Sequence, residues 1–300
     1  MKHRFIKTLA IALPLGLLLI LGLKFSTLYY LSSQLDYSMP HNSKVLLLGN
    51  SQGRNSINDS ILTGWTNRCI DAEMYSGVYL AAERMLEQNK VDTLIVHMID
   101  FYSYPDNSIS TNMLIYKSER IAIADNELLS RLWKLDGSMM VSFYLLNDLH
   151  VLTVPATIGG YEAWDFHFLR KEMKQLNSRL KRRGVVHTPR PSLEAYSMQI
   201  SYLEKIIDLC KAKGVQLVLM NYPKYKRNVF YERSKSWDYY LSIDSCVRIA
   251  DYEYFQFPDS TYYANSIHLN YRGAEYFSNH LKTHGLKTMT PAQWRKTRND

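Results

Sequence analysis

The chain has 300 residues, 46% of them hydrophobic, and a formal net charge of +8. That is enough apolar material for one large core or two small ones, and it excludes disorder as the dominant state. The three cysteines, Cys69, Cys210 and Cys246, are odd in number and fit no metal-ligand spacing, which excludes a disulfide framework and a cysteine metal centre.

Residues 1–31 read as a targeting or anchoring segment rather than as part of the fold. MKHRFIK carries positive charge, and Thr8 to Leu23 contains no ionisable residue. As a helix that run is about 24 Å long, slightly short of a ~30 Å hydrocarbon core. Phe25 to Leu31 extends it, with Lys24 snorkelling. The positive-inside rule then places the N-terminus in the cytoplasm and the rest outside the cell membrane, as a single-pass protein. KFSTLYYLSS offers no small-x-small cleavage signal, so the expectation is an uncleaved signal anchor, and no cysteine follows the run to carry a lipid.

The next stretch, KVLLLGNSQGR at Lys44 to Arg54, reads as a buried strand that stops at Gly49 and delivers Ser51 into a turn. Ile57, Ile61 and Leu62 recur after it at helical spacing. Ser51 therefore sits where a strand hands over to a helix, the edge of an α/β sheet at which ligands bind. A hydroxyl there is placed to be a nucleophile, although serine is also an ordinary helix cap.

RCIDAEMYSG, ending at Gly77, is a weak strand candidate, followed by an amphipathic helix Val78 to Gln88 and a buried strand Val91 to Ile99. Strands alternating with helices predict a mostly parallel central sheet in a three-layer α/β sandwich. From 101 to 190 the pattern changes to a turn-rich loop and helical segments around 118–150 and 168–183, a helical insertion that could cover the sheet's functional edge. Arg170, Lys171, Lys174, Arg179, Lys181, Arg182 and Arg183 make it the most basic segment; a solvated helix face and a surface for anionic lipid or polysaccharide both explain it. The sheet resumes with a helix Ser197 to Ala212, a strand Val215 to Met220, a last strand within Cys246 to Tyr254 and a closing helix Tyr271 to Leu281. Cys69 and Cys210 are expected to be buried as small hydrophobes. One α/β domain over 32–300 behind one membrane segment is the resulting organisation. The 23 tyrosines suit strand packing, and also a sugar-binding face.

His268 lies in DSTYYANSIHLNYRG, Asp259 to Gly273, on a loop entering a helix after the last strand. In a parallel sheet such loops share one edge, so Ser51 and His268 can converge despite their separation in sequence. An imidazole within hydrogen-bond reach can take the serine proton and return it to a leaving group.

GNS at Gly49 to Ser51 resembles the first block of the GDSL, or SGNH, hydrolases, and NSIHLNYRG at Asn265 to Gly273 resembles their last block. The resemblance covers the sheet elements, Lys44 to Ile99 and Ser197 to Lys282, and implies their flavodoxin-like architecture. Its layout is most similar to membrane-anchored extracytoplasmic proteins that add or remove acyl esters on cell-envelope polymers. The resemblance implies Ser51 as nucleophile, His268 as general base, and the backbone N–H groups of Ser51 and Gly77 as oxyanion donors. It implies an acylated polysaccharide or glycolipid substrate and allows for a membrane acyltransferase partner. No cofactor, metal or nucleic acid is implied.

Two departures stand out. The family's third block is not recognisable in HMIDFYSY, where Asp100 or Tyr102 falls nearest. Three residues before the histidine the family has aspartate, but this chain has Asn265, whose carbonyl can orient an imidazole without stabilising its charged form. Either a neighbouring acid substitutes, Asp259 being nearest in sequence, or a Ser–His dyad operates, or catalysis has been lost. Two functions follow: an extracytoplasmic serine esterase or O-acyltransferase, and a silent module that binds glycan or a partner in an envelope complex. Nucleotide binding is disfavoured because GNSQGR lacks GxGxxG spacing.

Overall fold

The computed structural model describes residues 2–34, 36–99, 124–135, 137, 140, 196–225, 235–243 and 246–299. Contacts divide the chain into two compact units, Met1–Asp36 with Asn107–Thr157, and Tyr37–Asp106 with Ile158–Asp300.

The second unit is built on five parallel strands: β1 (Val45–Leu48), β2 (Trp65–Asn67), β3 (Thr93–His97), β4 (Gln216–Asn221) and β5 (Arg248–Asp251), in the order β2-β1-β3-β4-β5. This doubly wound order places a switch point between β1 and β3, where connections leave to opposite faces and a crevice opens at the strands' C-terminal ends. Leu46, Leu47, Leu94, Ile95 and Leu219 are wholly buried, as a parallel sheet covered on both faces requires.

The helices of this unit are α2 (Ser51–Ser56), α3 (Tyr75–Gln88), α5 (Ser197–Lys213), α6 (Lys235–Ser242), α7 (Tyr271–His284) and α8 (Pro291–Asn299). Helix α5 packs on α3, and α7 packs on α2. One core joins Leu47, Ile95, Val218, Met220 and Ala250 of the sheet to Phe277 and Leu281 of α7. Helix α5 ends at Gly214 in the left-handed conformation, φ 65°, with Lys211 and Lys213 in its last turn. Glycine adopts that conformation without a Cβ penalty, and the lysines suit the negative end of the helix dipole.

Three sequence expectations are revised here. The second strand lies at Trp65–Asn67, ahead of Arg68 to Gly77, because Trp65, Thr66 and Asn67 are in register with Val45, Leu46 and Leu47. Cys69 consequently sits in the following loop, yet it is buried; Cys210 is buried, Cys246 is exposed, and none of the three is in a disulfide. Helix α2 ends at Ser56, and Ile57 is its C-cap rather than its first apolar turn. Asn67 explains the stop: its amide donates to the carbonyls of Gly53 and Ile57 at 3.3 and 2.8 Å, capturing groups at the helix end.

The first unit contains α1 (Lys2–Gln34), with Pro14 inside it, and α4 (Asn126–Leu135). Leu13, Leu15, Leu18 and Leu19 of α1 are exposed. Among the described residues no helix is long and apolar enough to cross a membrane. The expected helix at 168–183, with its basic cluster, and the region of Asp100 and Tyr102 lie outside the described residues.

Candidate functional site

The turn after β1 is set by its backbone. Gly49 has φ 147°, a conformation L side chains rarely adopt, and a Cβ there would lie 2.6 Å from the Cβ of His97. Asn50 is extended and caps α2, its side-chain oxygen accepting from Gln52 N at 3.0 Å. Ser51 is thereby the first helical residue. Hydrogen bonds from Arg68 N to Leu47 O (2.9 Å) and Ile70 N to Gly49 O (2.8 Å) fasten the loop after β2 to this turn.

His268 arrives from the other end of the chain on a loop closed by an antiparallel bridge between Tyr263 and Leu269. Tyr225, after β4, donates its N–H to Ser266 O at 3.0 Å and ties that loop to the sheet edge. Asn270 caps α7 by accepting from Gly273 N at 3.0 Å, and its amide donates to Thr261 O at 2.6 Å. Gly273 is required because a Cβ there would collide with the Tyr262 carbonyl. These restraints bring His268 Nε2 to 2.8 Å from Ser51 Oγ.

The Asn265 carboxamide lies against the other ring nitrogen. Its Oδ1 accepts from Ile267 N (2.9 Å) and His268 N (3.0 Å), which fixes the amide's orientation. His268 Nδ1 then lies 3.0 Å from Asn265 Nδ2 and 3.2 Å from Oδ1. The two contacts select opposite tautomers. If Nδ1 donates to Oδ1, Nε2 carries a lone pair for the serine proton; if Nδ2 donates to Nδ1, Nε2 carries the hydrogen and cannot act as a base. Burial lowers the His268 pKa, and the Asp71 carboxylate raises it.

Asp259 is not the orienting acid in this arrangement. It is exposed and caps the short 3₁₀ turn Ser260–Tyr262, accepting from Thr261 N at 2.7 Å and Thr261 Oγ1 at 2.6 Å. Those bonds hold its pKa below the usual carboxylate value. Gly77 lies in the first turn of α3, where the Glu73 carboxylate fills the space a Cβ would need. Its small size thus has a packing reason irrespective of any oxyanion role.

Sequence reasoning missed three neighbours. Arg54, one turn beyond Ser51 on α2, is buried and pairs with Asp71 at 3.2 Å. The Asp71 signal was hidden because its segment read as strand. Ala72, next to it, has φ 54° in the turn closed by Glu73 N to Ile70 O at 3.2 Å. Beneath Gly49, His97 is 3% exposed, with both ring nitrogens lacking hydrogen-bond partners among the described residues. Its ring lies against Tyr222 at 5.3 Å, and burial drives its pKa well down, with the positive charges of Lys224 and His268 adding to that. An apolar-flanked histidine at a strand end was its only sequence sign.

No family model and no curated protein matches the chain. Among solved structures it is similar to a protein from Streptococcus pneumonia provisionally described as a platelet activating factor. Identity is 12%, the TM-score is 0.41, and the match covers 93% of this chain and 98% of that one. Among the described residues no group of histidine, cysteine and carboxylate side chains is arranged to hold a metal ion.

Proposed function

We propose that this chain is an SGNH-type serine hydrolase or O-acyltransferase that acts on ester-linked acyl groups. The observation that carries the reading is the 2.8 Å contact between Ser51 Oγ and His268 Nε2 across the C-terminal edge of a parallel sheet. Ser51 Oγ attacks the ester carbonyl, forming a carbon–oxygen bond while its proton passes to Nε2. The tetrahedral intermediate is met by the Ser51 N–H, with Gly77 as the second donor that the family resemblance suggests. Collapse breaks the bond to the leaving alkoxide, which takes the proton from Nε2. Water or a sugar hydroxyl then repeats the sequence on the acyl-serine, giving hydrolysis or transfer respectively.

The substrate class is an acylated cell-envelope polysaccharide or glycolipid, and the site works outside the cytoplasm behind an N-terminal anchor. Support for the anchor comes from the basic MKHRFIK, the apolar Thr8 to Leu23 run and the exposed leucines of α1. Retention of the full chain in membranes after alkaline carbonate washing tests that part; release into the supernatant refutes it. The catalytic part is tested by incubating the full chain with p-nitrophenyl acetate and mapping acetyl groups by peptide mass spectrometry. Acetyl on Ser51 is the expected result, and its absence from Ser51 while another residue is acylated refutes the assignment. The neutral Asn265 beside His268 favours a second reading, a silent binding module, if no residue is acylated and glycan binding persists.

A further inference from the structure

Ser51 and Arg54 stand three residues apart on α2, the spacing that puts two side chains on one helix face. From that face Ser51 reaches His268, and Arg54 reaches the Asp71 carboxylate of the loop after β2. The loop is itself bonded to the nucleophile turn through Ile70 N and Gly49 O. The serine, the imidazole, the guanidinium and the carboxylate therefore belong to one polar group at the sheet edge. Resting on the Ser–His reading above, we propose that Asp71 is a positioning residue that supplies the negative charge Asn265 lacks, and that Arg54 holds and tempers it.

The chemistry requires such a charge. When Nε2 takes the serine proton, His268 becomes a cation in a largely buried position, and the Asn265 amide offers it a dipole alone. That amide also has its Nδ2 nearer to Nδ1 than its Oδ1, a contact that favours the unproductive tautomer. A carboxylate within electrostatic range favours the imidazolium whichever way the amide bonds, because its effect needs no hydrogen bond. Asp71 Oδ2 faces Arg54, whereas Oδ1 is buried with no hydrogen-bond donor among the described residues. An oxygen without a donor keeps its negative charge available to neighbours. The pair also accounts for a charged arginine buried so close to the nucleophile: burial lowers its pKa, and Asp71 opposes that effect.

The titratable and charged groups on the elements around the site are Arg54 on α2, Asp71 and the buried Glu73 after β2, the neutral His97 on β3, Lys224 after β4, and Asp259 and Arg272 around the start of α7. Lys224 is paired with Glu253 at 3.5 Å, Asp259 with Thr261, and Arg272 stacks over Tyr262 at 5.1 Å. Asp71 is the carboxylate bonded to the nucleophile's helix, through Arg54 at 3.2 Å, and its charge opposes the lowering of the His268 pKa by burial.

The deciding measurement is the NMR titration of His268 in the full chain, labelled at histidine and assigned with His268→Gln. It does not depend on any enzymatic activity. Asp71→Asn is expected to move the His268 midpoint down, Asp71→Glu to restore it, and Arg54→Gln to move it up by uncovering the carboxylate. If Arg54→Gln does not fold, the two Asp71 variants suffice, since Asp71 is half-exposed. With an acetyl ester as substrate, Asp71→Asn should lower kcat about three- to tenfold with KM unchanged. Adding Asn265→Asp to that variant should recover the loss. An unchanged His268 midpoint in Asp71→Asn overturns the proposal, whatever the activity. A shifted midpoint in a chain that never acylates Ser51 keeps the electrostatic pairing and removes the catalytic reading instead.

Discussion

Replacing Asn265 by aspartate tests the site where it departs from the expected pattern. The carboxylate would place one oxygen on Ile267 N and His268 N, where Asn265 Oδ1 now accepts at 2.9 and 3.0 Å. Its second oxygen would take the place of Nδ2, 3.0 Å from His268 Nδ1. A carboxylate can only accept there, so the Nδ1–H tautomer becomes obligatory and Nε2 keeps its lone pair for Ser51. A charge about 4 Å from the imidazolium is worth about 4 kcal/mol at an effective dielectric near 20. Desolvating the new carboxylate consumes part of that, leaving roughly 1.5–3 kcal/mol, or about 10- to 10²-fold in kcat. The ~10⁴-fold cost of the reverse change in serine proteases is a ceiling. The assay is kcat and kcat/KM for p-nitrophenyl acetate as a function of pH. Since the carboxylate favours the charged imidazole, the ascending limb of kcat/KM should move to higher pH as the plateau rises. An unchanged or lower plateau with an unmoved limb would refute the reasoning.

Ser51→Ala should abolish acyl transfer while leaving urea unfolding close to wild type, because Asn50 rather than Ser51 caps α2; full activity would sink the nucleophile assignment. Gly53→Ala places a Cβ 2.7 Å from Cys69 Sγ and 2.9 Å from Tyr222 Oη, both in buried residues. The ~1 kcal/mol of helix propensity gained is outweighed by overpacking of about 1–3 kcal/mol, so a net loss of stability is expected by urea titration. Ala72→Gly should instead stabilise the fold, by about 0.5–1 kcal/mol after the entropy glycine adds to the unfolded chain, because it relieves a left-handed alanine; a loss on unfolding would contradict that. His97 is held neutral in the fold, so as pH drops below the unfolded value of about 6.5 the unfolded chain gains a proton the native state refuses. Stability should therefore decrease with falling pH, His97 contributing up to about 1.4 kcal/mol per unit until its folded pKa is reached. His97→Gln should flatten that dependence between pH 7 and 5, and equal slopes in the two proteins would exclude His97 as its source.

Local pattern alone was enough to read much of this chain. The apolar run Val45 to Leu48 cut by Gly49, the helices at 78–88 and 197–212, and the alternation of strands with helices all depend on short-range periodicity and glycine stops. Those features act within a few residues, so they are visible without a partner. The convergence of Ser51 and His268 was also legible, because each sits on a loop entering a helix and a parallel sheet collects such loops at one edge. The position of β2 was not legible, since Trp65 to Asn67 is short and is defined by its register against Val45, Leu46 and Leu47. Sequence proximity suggested Asp259 as the partner of His268, but the backbone of the 3₁₀ turn claims that carboxylate first, and local side chain–to–backbone bonds compete strongly at such turns. Arg54 lies one turn from Ser51 on the same short helix, but Asp71 reached it only when β2 paired beside β1 and carried its following loop to the same edge. Electrostatic partners are chosen by distance in space, and the tertiary structure alone sets that distance.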